Sequence, residues 1–219
     1  SVGAAEESIQ RAVDRLDPSW AWRTADVVTP VETWREHVGP TWYGKTGVVV
    51  PQWQADELDA GDDVLVTLIE PATSFGLGDH PTTRLSLSTL TDYLTDHDVS
   101  SLLDVGCGSG VLGIVAAQRG VATIRATDIS AGAVEATVAN AQLNGVIDHI
   151  EVDMAELSTI ADTYDIVVAN ILAPVLVSLA ADLRRLTAAD GVLIISGILG
   201  DDHQHVLDAL APMQVEQTT

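Results

Sequence analysis

The chain has almost no cysteine, almost no lysine and no long apolar run, and each shortage removes a class of protein. Cys107 is the single cysteine in 219 residues, so no internal disulfide can form. Lys45 is the single lysine; ten Lys and Arg stand against 32 Asp and Glu, a formal net charge of −22. Direct nucleic-acid binding needs a basic face to displace counterions, and this balance argues against one. The same balance suits a basic protein partner or a cationic cofactor. Nothing approaches the run of about 18 apolar residues that a transmembrane helix needs, and no secretory signal pattern is present. The chain is therefore expected in the cytoplasm, without membrane contact. No Cys/His/Asp cluster has metal-ligand spacing, and His203 and His205 fall on different helix faces, so no metal site is expected.

The 219 residues are enough for one α/β domain and a small appendage, and the 47% that are apolar are enough for a sizeable core. From about residue 100, short apolar runs bounded by Gly, Asp and Asn alternate with helical stretches. Strands are expected at Leu102–Val105, Thr123–Asp128, His149–Val152, Ile166–Ala169, Val192–Ser196 and Met213–Gln217. Helices are expected at Gly110–Arg119, Ala131–Leu143, Pro174–Leu186 and His203–Leu210. Right-handed crossovers between such strands give an α/β, doubly wound, mostly parallel Rossmann-like sheet. Residues 1–60 differ: they hold all five tryptophans, are interrupted at Pro18, Pro30, Pro40 and Pro51, and offer a helix at Glu6–Leu16. A strand at Gly47–Val50 and another at Val64–Ile69 flank an acidic loop. The expected division is a short aromatic-rich linker or lid over 1–60 and a cofactor-binding domain over 61–219.

The most informative stretch is Leu102-Leu103-Asp104-Val105-Gly106-Cys107-Gly108-Ser109-Gly110. It reads as a strand ending in an acid, then a glycine turn, then a helix. The spacing is GxGxG, with Val111 where a dinucleotide-binding GxGxxG turn has its third glycine. Asp104, Gly106 and Gly108 suit a ligand with a free amino-acid end and no phosphate, namely S-adenosylmethionine. Asp128 ends the next strand 22 residues after Gly106, where a carboxylate reaches a ribose diol. The competing role for Asp128 is a helix N-cap, which Ser130 fills better. Ile129 is assigned with Asp128 to the cofactor. Asp153, after the third strand, suits an adenine amino group or is a surface acid. Asn170 ends the fourth strand, where its amide can orient an acceptor nitrogen or cap the following helix. His80 is a candidate general base, or a hydrogen-bonding loop residue. Cys107 reads as a small residue packed under the cofactor.

The segments EPATSFGLGDHPTTRLSL, LLDVGCGSGVLGIVAAQRG, ATDISAGAVEATVANAQLNGV and IVVANILAPVLVSLAADL together resemble the PrmA-type ribosomal protein methyltransferases. That resemblance implies methylation of lysine and N-terminal amines on the large-subunit ribosomal protein number eleven, with S-adenosylmethionine as cofactor. It implies cofactor contacts at Thr83, Gly106, Asp128 and Asn170, with Phe75 packed near the cofactor. Leu77 and Asp79 stand where the family loop has two threonines. The family carries an N-terminal substrate-recognition domain, and only a short helix precedes the linker that begins near Trp34, so a shortened recognition region is expected. The expected activity is N-methyl transfer to a protein amine. Alternatives are a small-molecule methyltransferase acting on a small amine and, more distantly, an NAD-dependent oxidoreductase.

Overall fold

A computed structural model describes residues 38–70, 80–198 and 203–216. The first of these stretches forms a three-stranded sheet of β1 (Thr41–Tyr43), β2 (Gly47–Pro51) and β3 (Leu65–Ile69). β1 and β2 make an antiparallel hairpin, and β2 runs parallel to β3. The expected strands at 47–50 and 64–69 are both there. β1 went unforeseen because three residues are too few to show alternation.

Helix α1 (Pro81–Asp96) follows. Pro81 occupies the first turn, where its missing N–H costs nothing. The chain then alternates through β4 (Ser101–Val105), α2 (Val111–Gln118), β5 (Thr123–Thr127), α3 (Ala131–Leu143), β6 (Ile150–Asp153), β7 (Tyr164–Asn170), α4 (Ala173–Leu186), β8 (Thr187–Ser196) and α5 (Gln204–Leu210). The five strands from β4 to β8 form one sheet in the order β6-β5-β4-β7-β8. Every neighbouring pair is parallel.

Alternate residues of these strands feed two cores. Leu102, Ile124, Ile166 and Val168 pack on one face with Leu87 and Leu90 of α1 and Ile114 and Val115 of α2. Leu103, Val105, Val167 and Ala169 pack on the other with Leu176, Leu183 and Leu186 of α4 and Val206 and Leu210 of α5. Burial on both faces explains why the strands read as continuous apolar runs. Each fully buried Leu or Ile contributes about 1.5–3 kcal/mol of hydrophobic stabilisation.

The sheet order fixes where a ligand can sit. From β4 the chain winds outward to β5 and β6, then returns to the other side of β4 for β7 and β8. The reversal opens a crevice beyond the carboxyl ends of β4 and β7. Two expectations are corrected at the end of the chain. β8 begins at Thr187, five residues before the expected Val192, and its pairing with β7 shifts register near Tyr164. Residues 213–216 of the expected strand Met213–Gln217 have no regular structure. The Met213 N–H turns back to the Leu210 carbonyl at 3.1 Å, and Pro212 has no N–H to give a ladder. Among the described residues, no helix is long and apolar enough to cross a membrane.

Candidate functional site

Immediately past β4, three glycines take left-handed backbone angles: Gly106 (φ 72°), Gly108 (φ 58°) and Gly110 (φ 81°). Only glycine adopts these cheaply, which explains the GxGxG spacing. Space is equally short. A Cβ on Gly106 would lie 2.5 Å from Cγ2 of Ile171, and one on Gly110 would lie 2.6 Å from Cγ2 of Thr137. The polar groups of the turn are bound one by one. Gly106 and Cys107 donate N–H bonds to the Thr127 carbonyl at 2.8 and 3.2 Å. Gly108 N–H donates to the Asp128 carboxylate at 3.1 Å, and the Thr137 hydroxyl donates to the Gly108 carbonyl at 3.1 Å.

Asp104 lies beneath this turn, 1% exposed, and its carboxylate accepts the Gly113 N–H of α2 at 3.1 Å. Burial pushes its pKa up to about 7; the Gly113 bond opposes the rise and the charge of Asp128 adds to it. Cys107 is buried too. Burial first, and then the Asp104 charge, pushes its thiol up to about 12, so it carries no thiolate at neutral pH. The packed-residue reading of Cys107 fits this placement.

Asp128, the residue after β5, is half-buried. One carboxylate oxygen accepts from Gly108 and the other accepts the Ser130 N–H at 2.9 Å. Ser130 sits at the N-cap of α3, as expected, but its side chain makes no cap bond; Asp128 accepts the Ser130 N–H and so steadies the approach to that helix. Each oxygen of Asp128 keeps acceptor capacity for a further donor. Ile129 is 96% exposed and Met154, past the end of β6, is 52% exposed. Asp153 takes the Arg125 guanidinium at 2.5 Å on one oxygen and the Ala155 N–H at 2.8 Å on the other. Sequence reasoning missed Arg125. Its signal was a guanidinium inside the strand TIRAT, which demands a carboxylate partner.

Asn170 ends β7, and its amide NH2 donates to the Thr83 hydroxyl at 3.1 Å. Thr83 is buried in the first turn of α1. His80 is the N-cap of α1, and its Nδ1 accepts the Thr82 N–H at 3.3 Å, a bond that matches the hydrogen-bonding reading of this residue. The structure thus brings Asp104, Gly106, Gly108 and Asp128 together around one turn, with Gly108 bonded to Asp128, and bonds Asn170 to Thr83. Ile171 links the two groups, because its side chain lies over Gly106. Asp153 joins the first group through its carbonyl, which accepts the Asp128 N–H at 3.3 Å. Phe75, Leu77, Asp79, Trp20, Trp22, Trp34 and the helix Glu6–Leu16 lie outside the described residues. Among the described residues, no three His, Cys, Asp or Glu are grouped so as to hold a metal ion.

The same ordered elements recur in known proteins. A family model described as ribosomal protein L11 methyltransferase (PrmA) matches residues 7–218. The chain belongs to the PrmA family. A ribosomal protein L11 methyltransferase of Syntrophotalea carbinolica is 40% identical over 197 residues, covering 85% of this chain and 64% of that protein. One from Geobacter metallireducens is 41% identical over 175 residues, covering 80% of this chain and 56% of that protein. The chain therefore spans 56–64% of the length of these curated PrmA relatives. A crystal structure of the ribosomal protein L11 methylase of Lactobacillus delbrueckii subsp. bulgaricus superposes with a TM-score of 0.72 at 31% identity. That match covers 80% of this chain and 88% of the other, so the Rossmann-like methyltransferase fold is shared with a PrmA relative.

Proposed function

We propose that this chain is an S-adenosylmethionine-dependent N-methyltransferase that modifies a protein amine, a lysine or an N-terminal amine, in the cytoplasm. Ribosomal protein L11, for which the relatives are named, is the proposed acceptor. Residues 61–219 are proposed as the cofactor-binding domain. The observation that carries the proposal is the bonded group at the switch point: one carboxylate, Asp128, holds both the glycine turn and the start of α3.

The residues fit the cofactor. Asp128 retains lone pairs for a ribose diol. Ile129 and Met154 expose apolar surface near the ends of β5 and β6, as the faces of adenine require. Asp153 remains the candidate for the adenine amino group, steadied by Arg125. Asp104 is buried beneath the turn, so its proposed part is to hold the turn through Gly113.

When bound, S-adenosylmethionine supplies a methyl group on a sulfonium, whose displacement leaves a neutral thioether. The protein's part is alignment. Asn170 spends its NH2 on Thr83, so its carbonyl oxygen is the end left to accept an N–H from the incoming amine and aim the nitrogen lone pair. The amine must arrive neutral, and desolvation in the crevice lowers its pKa. His80 has Nδ1 committed to the cap of α1, so we assign it to setting the start of that helix rather than to proton transfer. Family membership turns the reading away from a nicotinamide oxidoreductase.

The test is calorimetric titration with S-adenosylhomocysteine and, separately, NAD, followed by transfer of labelled methyl groups to ribosomal protein L11. Micromolar binding of S-adenosylhomocysteine alone, with label entering L11, is the expected result. Binding without labelled L11 would redirect the acceptor to a small amine. NAD binding in its place would overturn the proposal.

A further inference from the structure

β3 is an edge strand, yet its outer backbone groups are not left bare. Gln118 of α2 donates its amide NH2 to the Val66 carbonyl at 3.2 Å. Asn144, just past α3, accepts the Leu68 N–H at 2.9 Å and donates to the Leu68 carbonyl at 2.7 Å. Asn140, one helical turn earlier, accepts the Glu70 N–H at 2.8 Å. The geometry matches because four residues of helix rise about 6 Å, close to the span of about 6.6 Å for two residues of strand. Two asparagines four apart therefore meet alternate residues of one strand edge, as a neighbouring strand would.

Asn140 does something Asn144 does not. Its NH2 donates at 2.9 Å to the carbonyl of Ser109, inside the glycine turn. One buried amide thus grips Glu70 and Ser109 together. One turn before it on α3, Thr137 holds the preceding carbonyl, that of Gly108. With glycines on both sides of Ser109 at positive φ, the turn has little stiffness of its own. Its peptide planes are set by what grips their carbonyls.

We propose that Asn140 is a positioning residue for the cofactor turn, fixing the peptide planes around Ser109 while anchoring the end of β3. The proposal rests on the S-adenosylmethionine reading above. Asn144 supplies the control, since its bonds run to Leu68, Asn140 and Gln118 and none to the turn.

The experiment compares Asn140→Ala with Asn144→Ala in the full chain. The readouts are melting temperature, amide hydrogen exchange of residues 107–110 without ligand, and affinity for S-adenosylhomocysteine. Both variants are expected to melt earlier. Only Asn140→Ala is expected to speed exchange in the turn and to weaken binding about tenfold, the equivalent of one lost hydrogen bond. Asn140→Ser, which keeps a donor, stands in if the alanine variant does not fold. Wild-type exchange and affinity in the Asn140 variant, or equal changes in the Asn144 variant, would overturn the proposal. If the wild type does not bind S-adenosylhomocysteine, the cofactor reading falls, and the exchange contrast still decides whether Asn140 positions the turn.

Discussion

Asp128, just past β5, and Asn170, at the end of β7, mark the two strands that flank β4, and their bonds predict different failures. Asp128→Ala removes the acceptor for both Gly108 and Ser130, so the turn and the start of α3 loosen together. Two charge-assisted bonds are lost, and affinity for S-adenosylhomocysteine is expected to fall about a hundredfold or more by calorimetry. Asn170→Ala leaves the bonds of the turn intact and removes the carbonyl aimed at the acceptor together with the bond to Thr83. Its expected signature is unchanged cofactor affinity with kcat lowered about a hundredfold. Unchanged turnover in that variant would remove Asn170 from the mechanism. Asp104 makes a prediction of a different kind. Its pKa, raised to about 7, means that the folded chain holds a proton there that the unfolded chain has already released. The proton favours the fold, so this contribution is full at acid pH and is lost as pH rises toward and through 7. Asp104→Asn keeps the hydrogen-bonding shape without the charge. Relative to wild type, its melting temperature is expected to gain from pH 5 to about pH 7 and to level off above that. A constant difference across that range would mean that Asp104 does not titrate there.

At the scale of elements, the sequence made much of the frame legible and little of the interlocking. The helix read over Ala131–Leu143 has those bounds in the structure, and the acids at strand ends were legible because a strand–turn–helix pattern fixes where the strand stops. The bonds between elements were not legible. Arg125 with Asp153, Thr83 with Asn170 and Thr137 with Gly108 join residues whose proximity depends on sheet order, which no local pattern encodes. Gly197 belongs to this second group. It follows β8 at φ 90°, and a Cβ there would lie 2.4 Å from the Ile171 carbonyl oxygen and 2.8 Å from its carbon. The obstacle is backbone, so no rotamer change relieves it. Gly197→Ala must displace the segment that follows Asn170 or strain its own backbone, at a cost of about 1–3 kcal/mol. The expected result is a lower melting temperature and a kcat reduced about tenfold or more, because small misplacements near a reacting centre are costly. Wild-type kcat in a variant that melts early would show that the contact serves stability alone.

For the whole molecule, the governing quantity is the net charge of −22. A charge of that size raises the encounter rate with a basic protein and strains the fold through self-repulsion. Salt acts on both at once, shortening the screening length from about 10 Å at 0.1 M to about 3 Å at 1 M. The two effects have opposite signs, and that separates them. Screened self-repulsion raises the melting temperature, whereas screened attraction lowers kcat/KM toward a basic acceptor protein. A fall in turnover across a range in which the protein grows more stable cannot be unfolding. The expected outcome is therefore a rising melting temperature, a steep fall in kcat/KM with ribosomal protein L11, and an affinity for S-adenosylhomocysteine that changes little. A shallow fall with a small amine under the same conditions would show that the steep one comes from the protein acceptor's charge. A flat profile with L11 would mean that shape and apolar contact, not charge, bring the acceptor to Asn170.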